Sequence, residues 1–229
     1  MKYTYQEVKE KGLKKYDAWW TVLVADKFAL PLTYFFANYT KITPNQISIL
    51  KFLIKLCSAY LFLKGDYKYL LIGAFLYEIA FIFDCVDGKL ARVTGKITKF
   101  GKIFDIFEDH LSYIFLSICL ALGQKINLAY PLISIFLILL NDFYDFKKSE
   151  AKHYLEEREY ILPQKFVNFL RKRRMIPIPS TIEATHVLFF FSPIFKFVIW
   201  GFRFFIVFYG ILCTLKTIAF IKIKLSKTP

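Results

Sequence analysis

The sequence predicts an all-α, polytopic membrane protein: six transmembrane helices preceded by an N-terminal interfacial amphipathic helix. Three observations predict it. The chain of 229 residues is 56% hydrophobic and 20% aromatic, yet carries 32 Lys and Arg against 18 Asp and Glu, a formal charge of +14. Apolar runs of roughly 20 residues recur between short polar turns, the length that crosses a hydrocarbon core. The basic residues gather in those connections that six spans would leave on one side. Abundant Phe and Tyr exclude a disordered basic tail. A soluble nucleic-acid binder is rarely this apolar, so no nucleic-acid partner is expected.

The N-terminal region, 1–42, is read apart from a membrane domain over 43–229. Trp19 to Tyr39 is apolar but broken by Asp26, Lys27 and Pro31. Its Trp19-Trp20 pair beside Lys14 and Lys15 suits a helix at headgroup level. Thr43-Pro44 marks a helix start, with Thr as N-cap and Pro in the first turn. This first span runs to about Leu63 and contains Lys51 and Lys55, four apart on one face. Lysines at that depth must snorkel, face a wet cavity or pair with acids. Lys64-Gly65-Asp66 ends it.

The second span covers about Tyr67 to Phe83, followed by a polar segment, Asp84 to Lys102. The third runs from near Gly101 to Leu122 and the fourth from about Leu128 to Phe143. A charged stretch from Asp145 to Arg174 comes next. Ser180 and Glu183 form a capping box that opens a fifth span reaching about Trp200, with a kink at Pro193. The sixth spans about Phe202 to Ile223. The positive-inside rule then puts both termini and the two long polar segments on the cytoplasmic side. The basic run Arg171 to Arg174 reads chiefly as this topology signal and a site for anionic headgroups. Cys57, Cys85, Cys119 and Cys213 lack metal-type spacing and read as unbridged thiols. The charged N-terminus has no apolar stretch before a small-residue cleavage site, so no removable signal peptide is expected.

The chemistry is concentrated in residues 84–109. Asp84 and Asp87 are three apart at the end of one helix. Asp105 and Asp109 are four apart on the next. Each pair shares a helix face, so two antiparallel neighbours bring four carboxylates together. Four converging anions need a counter-charge. Oxygen-only ligands favour Mg²⁺ or Mn²⁺, and two such ions polarise a phosphoryl group while holding the attacking and leaving oxygens. Gly88, Ala91 and Gly101 leave room for a bulky ligand against the backbone. Arg92 offers a donor fork for phosphate or carboxylate.

The series D-x2-D-G-x2-A-R-x8-G-x3-D-x3-D, filled here by Asp84, Asp87, Gly88, Ala91, Arg92, Gly101, Asp105 and Asp109, resembles the signature of the CDP-alcohol phosphotransferases. Pro44-Asn45-x-x-Ser48 resembles the P-N-x-x-[ST] element that precedes it in that family. The resemblance implies an enzyme of phospholipid biosynthesis. It would transfer a phosphoalcohol, in the commonest case phosphatidyl from CDP-diacylglycerol, to an alcohol and release CMP. It further implies Asp84, Asp87 and Asp105 as ligands of two Mg²⁺ or Mn²⁺ ions. Asp109 would be the general base and a further metal contact. Asn45, Ser48, Asp84, Gly88, Ala91, Arg92 and Gly101 would form the CDP site. The implied partners are a CDP-linked lipid donor, a small polar or phosphorylated alcohol, membrane lipids and a second copy in a homodimer.

Lys51, Lys55, Asp142, Asp145, Glu183 and His186 are candidates for the acceptor pocket, although the capping box alone accounts for Glu183. His110 reads as a packing or supporting residue. Asn141-Asp142-x-x-Asp145 resembles instead the N-D-x-x-D motif of intramembrane prenyltransferases, which use Mg²⁺ and prenyl diphosphate, but their pattern continues to an acid where this chain has Ser149. A non-catalytic membrane interaction protein is the remaining alternative, and the intact aspartate series argues against it.

Overall fold

The computed structural model of the chain describes residues 2–147 and 163–226 and, of 145–147, 219 and 222–226, the backbone alone. Among these residues the fold is entirely helical apart from one isolated parallel bridge, Asp17 to Met175. Two helices lead: α1, Tyr5–Gly12, and α2, Asp26–Tyr39, entered through a π turn at Thr21–Ala25. Then come α3, Pro44–Lys64; α4, Tyr67–Thr94; α5, Lys99–Gly123; and α6, Ala129–Lys147. The short α7, Gln164–Lys172, precedes a broken helix made of α8, Thr181–His186, a π turn at Val187–Phe191, and α9, Ser192–Ile194. The last helix is α10, Val198–Ser226.

Among the described residues four helices are long and apolar enough to cross a membrane: α3, α4, α5 and α10. The apolar part of α6, Ala129–Tyr144, is shorter. The fifth expected span is reorganised. Its helix stops at Ile194, and Lys196 turns the chain at φ 58°. α10 then starts at Val198, four residues before the expected sixth span, so Trp200 and Arg203 belong to it. Arg203 stacks over the Trp200 ring at 4.6 Å.

Local sequence explains the ends of the helices that hold the centre. Thr43 accepts the Gln46 N–H while Gln46 reaches back to the Thr43 N–H, with Pro44 in the first turn. Gly65, at φ 78°, closes α3. α4 does not stop at Phe83. It runs for 28 residues, from Tyr67 to Thr94, and ends on Gly95 at φ 69°. At 1.5 Å per residue that is about 42 Å, longer than the hydrocarbon core. Residues 84–94 are therefore helix at its far end, and the polar loop shrinks to 95–98.

The main core joins α3 to α6 with α8 to α10, through Phe62, Tyr77, Tyr113, Leu120, Phe189 and Phe205. A second cluster packs α1 and α2 onto α3 and α4 through Val8, Ala29, Leu30, Ile47, Val86 and Leu90. The tryptophan pair takes part in this packing rather than standing apart. Trp19 Nε1 donates to the Ile176 carbonyl at 2.7 Å, and Trp20 Nε1 to Glu78 at 3.1 Å. Outward positions such as Leu53, Phe75, Phe136, Val207 and Ile211 are exposed and apolar, as lipid contact requires. No disulfide joins the four cysteines.

The far ends of α3 and α5 touch backbone to backbone. A Cβ on Gly123 would overlap the Phe62 carbonyl oxygen and lie 3.0 Å from its carbon. Neither atom can rotate away. Gly123→Ala is therefore expected to cost about 1–3 kcal/mol, read as a lower melting temperature in detergent. Gly210→Ala, where a Cβ would meet nothing within 4 Å, is the control and should be silent. Equal melting of the two variants would show that the α3–α5 contact is not tight.

Candidate active site

Three helices supply the site. α3 presents Ser48, Lys51 and Lys55 at positions i, i+3 and i+7, one face. α4 brings Asp84 and Asp87 in its last turns, and α5 brings Asp105, Glu108 and Asp109 in its first three. Ser48 Oγ donates to Asp87 Oδ2 at 2.7 Å. Lys51, wholly buried, contacts Asp84 and lies 2.5 Å from Asp105 Oδ1 and 3.3 Å from Asp87 Oδ2. Lys55 lies 2.8 Å from Glu108 Oε1 and 2.9 Å from Asp109 Oδ1. Neither lysine snorkels: both turn inward and offset the acids.

The carboxylates form two sets whose oxygens lie within 4.8 Å of one another: Asp84, Asp87 and Asp105, and Asp84, Glu108 and Asp109. Asp84 belongs to both. Hard oxygen donors at this spacing, with more negative charge than two lysines neutralise, fit Mg²⁺ or Mn²⁺. The four expected aspartates are brought together, but the second set contains an acid that the sequence reading passed over. Glu108 is fully buried. Its signal was available, since residues 105, 108 and 109 are i, i+3 and i+4 on one helix face.

Two cavities meet at this wall of acids. The first, about 290 Å³, is lined by Asn45, Ser48, Asp87, Gly88, Ala91, Arg92, Gly101 and Asp105, with Lys96, Thr98 and Lys102 at its loop side. Gly101 is needed for its shape, because a Cβ there would stand 2.8 Å from Asn45 Oδ1 and 3.0 Å from Thr98 Oγ1. Arg92 is only partly turned to this cavity. Its Nε and Nη2 donate to the Gly12 carbonyl at 2.9 and 2.7 Å, fastening α1 to the motif helix. Its Nη1 stays on the Gly88 side, 3.3 Å from where a Cβ on that glycine would lie.

The second cavity, about 580 Å³, has Lys55, Asp84, Asp109, His110 and Asp142 at its polar end. Tyr77, Phe81, Tyr113, Ile138 and Phe189 form apolar walls, and Thr181 and Thr185 add hydroxyls. Of the residues expected around an acceptor, Lys55 and Asp142 line it. Lys51 is enclosed in the wall. Asp145 lies outside the residues whose side chains are described. Glu183 and His186 do not line the cavity and are engaged elsewhere. Glu183 accepts from the Ser180 N–H at 2.6 Å and the Trp20 N–H at 3.1 Å. His186 lies 3.1 Å from Glu78 with its ring against Phe81, Trp20 and Tyr77. Their sequence neighbours Ile182 and Thr185 face the cavity instead.

The competing acidic motif is also accounted for. Asp142 Oδ2 lies 2.8 Å from His110 Nε2, and Asn141 Oδ1 accepts from Lys216 at 2.5 Å. Asn141 and Asp142 thus meet basic partners, not a second acidic set.

The chain is similar to known proteins in sequence and in fold. An archaetidylinositol phosphate synthase of Pyrococcus horikoshii is 44% identical over 86 residues, 38% of this chain and 44% of that protein. A bifunctional IPC transferase and DIPP synthase of Aquifex aeolicus is 35% identical over 78 residues, 34% of this chain and 17% of that protein. The chain thus spans less than half the length of these curated relatives. The fold is that of the Mycobacterium tuberculosis phosphatidylinositol phosphate synthase PgsA1. The form with CDP-DAG bound superposes with a TM-score of 0.58 at 17% identity, over 85% of this chain and 92% of that one. The form in complex with manganese and citrate gives 0.53 at 19% identity, over 82% and 86%. The family profile described as CDP-alcohol phosphatidyltransferase matches residues 41–146. That stretch holds Asn45, Ser48 and the whole aspartate series, and over it the chain is similar to the CDP-alcohol phosphatidyltransferases.

Proposed function

We propose that the chain is an integral-membrane, divalent-metal-dependent enzyme of phospholipid biosynthesis. It transfers a phosphoalcohol, in the first instance phosphatidyl from CDP-diacylglycerol, to an acceptor hydroxyl and releases CMP. The observation that carries this reading is a wall of acids with a cavity on each side, one formed by small residues and the other by an apolar shaft with a polar end. The donor's CDP group lies over Gly88, Ala91 and Gly101 in the first. The acceptor enters the second, where Asp109 takes its hydroxyl proton. The acceptor oxygen then bonds to the β-phosphorus as the bond from that phosphorus to the CMP oxygen breaks. Mg²⁺ or Mn²⁺ held by Asp84, Asp87 and Asp105, with Asp109 as a further contact, would supply the charge stabilisation for the diphosphate when bound.

The relatives' names and the CDP-DAG of the mycobacterial structure favour a lipid CDP donor and an inositol phosphate acceptor. The fold supports six crossings, with α6 and the broken helix 181–194 as the two shorter ones. An even number leaves both termini, the 95–98 loop and the basic α7 on one face, and the positive-inside rule makes that face cytoplasmic. The region 1–42 then serves as an interfacial clasp on the membrane domain, and the working unit is a homodimer.

Purified protein with Mn²⁺ or Mg²⁺, CDP-diacylglycerol and a panel of alcohols headed by inositol phosphate is expected to release CMP. EDTA should reduce the release to background, and added metal should restore it. Failure of CMP release across the panel, joined to metal-independent binding of CDP, would overturn the reading. Tight binding of a prenyl diphosphate in place of CDP would transfer it to the prenyltransferase class.

A further inference from the structure

Lys51 is surrounded by more carboxylates than one ammonium can satisfy. It contacts Asp84, lies 2.5 Å from Asp105 Oδ1, and has Asp87 Oδ2 and Glu108 Oε2 each at 3.3 Å. Asp84, Asp87 and Asp105 are one of the two carboxylate sets spaced for a cation. The ammonium therefore occupies lone pairs that a divalent ion would need, and the two cannot hold them together. Glu108 Oε2 differs from the other oxygens. It is buried and accepts no hydrogen bond, which is costly for a carboxylate oxygen unless something comes to it. Lys55, 2.8 Å from the other oxygen of the same carboxylate, keeps Glu108 in place.

We propose that Lys51 is a resident counter-ion with two stations. In the metal-free protein it holds Asp84 and Asp105. When a divalent ion enters, the ammonium withdraws to Glu108 Oε2, the oxygen without a hydrogen bond already 3.3 Å away. Lys51 is then a positioning residue that keeps the acids assembled before loading and competes with the metal for them. Glu108 acts only through Lys51. The inference rests on the divalent-metal dependence proposed above.

The test is Mn²⁺ binding to the purified full chain, followed by electron paramagnetic resonance without substrate. Lys51→Met is expected to bind Mn²⁺ about tenfold more tightly than wild type, because the competing charge is gone. Glu108→Gln should bind several-fold more weakly, because the withdrawn ammonium loses its anionic station. In the Lys51→Met background, Glu108→Gln should change affinity by less than about twofold. Unchanged affinity in Lys51→Met overturns the proposal. So does an equal weakening by Glu108→Gln in both backgrounds, which would make Glu108 a direct ligand. Absence of Mn²⁺ binding in every variant overturns the metal reading together with this one. Should Lys51→Met not fold, the wild-type structure with Mn²⁺ decides: Lys51 Nζ is expected on Glu108 Oε2 and off Asp105, and an unmoved side chain refutes the exchange.

Discussion

Asp109→Asn is expected to lower CMP release by about 10²- to 10⁴-fold, the span that a positioned proton acceptor contributes. The substitution keeps the shape and removes the basic lone pair and the charge. Asp109 is the acid best placed for the role. It lines the larger cavity, its side chain is about half exposed, and its Oδ1 faces Lys55 at 2.9 Å. Asp87 faces the smaller cavity, nearly buried, and accepts the Ser48 hydroxyl. The loss should therefore fall on kcat, with the KM for the CDP donor little changed. Mn²⁺ should still bind at Asp84, Asp87 and Asp105. Asp87→Asn gives the contrast, since it should weaken metal and donor binding along with turnover. A variant Asp109→Asn that turns over at the wild-type rate would remove the proton-transfer role. One that loses Mn²⁺ altogether would make Asp109 a ligand first.

The parts of this centre that the sequence made legible are those set by spacing along one helix. Thr43-Pro44 fixes where α3 begins, and from that start Ser48, Lys51 and Lys55 fall on one face. The i, i+3 and i, i+4 separations of the aspartates do the same for α4 and α5. What spacing could not supply was the partner across the gap. Lys51 and Lys55 read equally well as snorkelling until α4 and α5 were seen to set acids against them. Polarity misled where it stood in for structure. Gly88 to Thr94 looked like a loop because it is polar, yet its Lys, Leu, Ala and Arg are good helix formers and the helix ends only at Gly95. The fifth span was expected to reach about Trp200 with a kink at Pro193, but the chain breaks at Lys196. Proline sits without strain in the first turn of a short helix, however, and the turn itself comes from a lysine at φ 58°. Glu183 and His186 show the limit of periodicity, because a rotation of one residue separates a cavity wall from the packing behind it.

Asp26 carries the largest expected effect on stability outside the site. The sequence reading took Asp26 and Lys27 as interruptions of an interfacial helix. In the fold Asp26, the first residue of α2, is 5% exposed. It lies 2.7 Å from the Lys89 ammonium and 3.2 Å from Arg174 Nη1. Lys89 is itself 2% exposed, and its hydrogen bond to the Cys85 carbonyl is a long one, 3.4 Å. Asp26→Asn would leave that ammonium buried without its anion, a change that costs about 3–5 kcal/mol when one partner of a buried pair is removed. It should appear as a large fall in melting temperature in detergent. Lys89 stands between Gly88 and Ala91 on the motif helix, and Arg174 also donates to the Lys14 carbonyl at 3.2 Å. The same loss should therefore loosen α2 from α4 and weaken CDP binding at the smaller cavity. The double substitution Asp26→Asn with Lys89→Met removes both charges and should recover most of the stability, because the penalty comes from the unpaired ammonium and not from the missing contact. If the double variant melts as low as the sum of the two single losses, the triad is a packing element and its charges are incidental. If Asp26→Asn melts with wild type, water reaches Lys89 and the N-terminal helices are held by the Val8–Leu30–Val86 cluster alone.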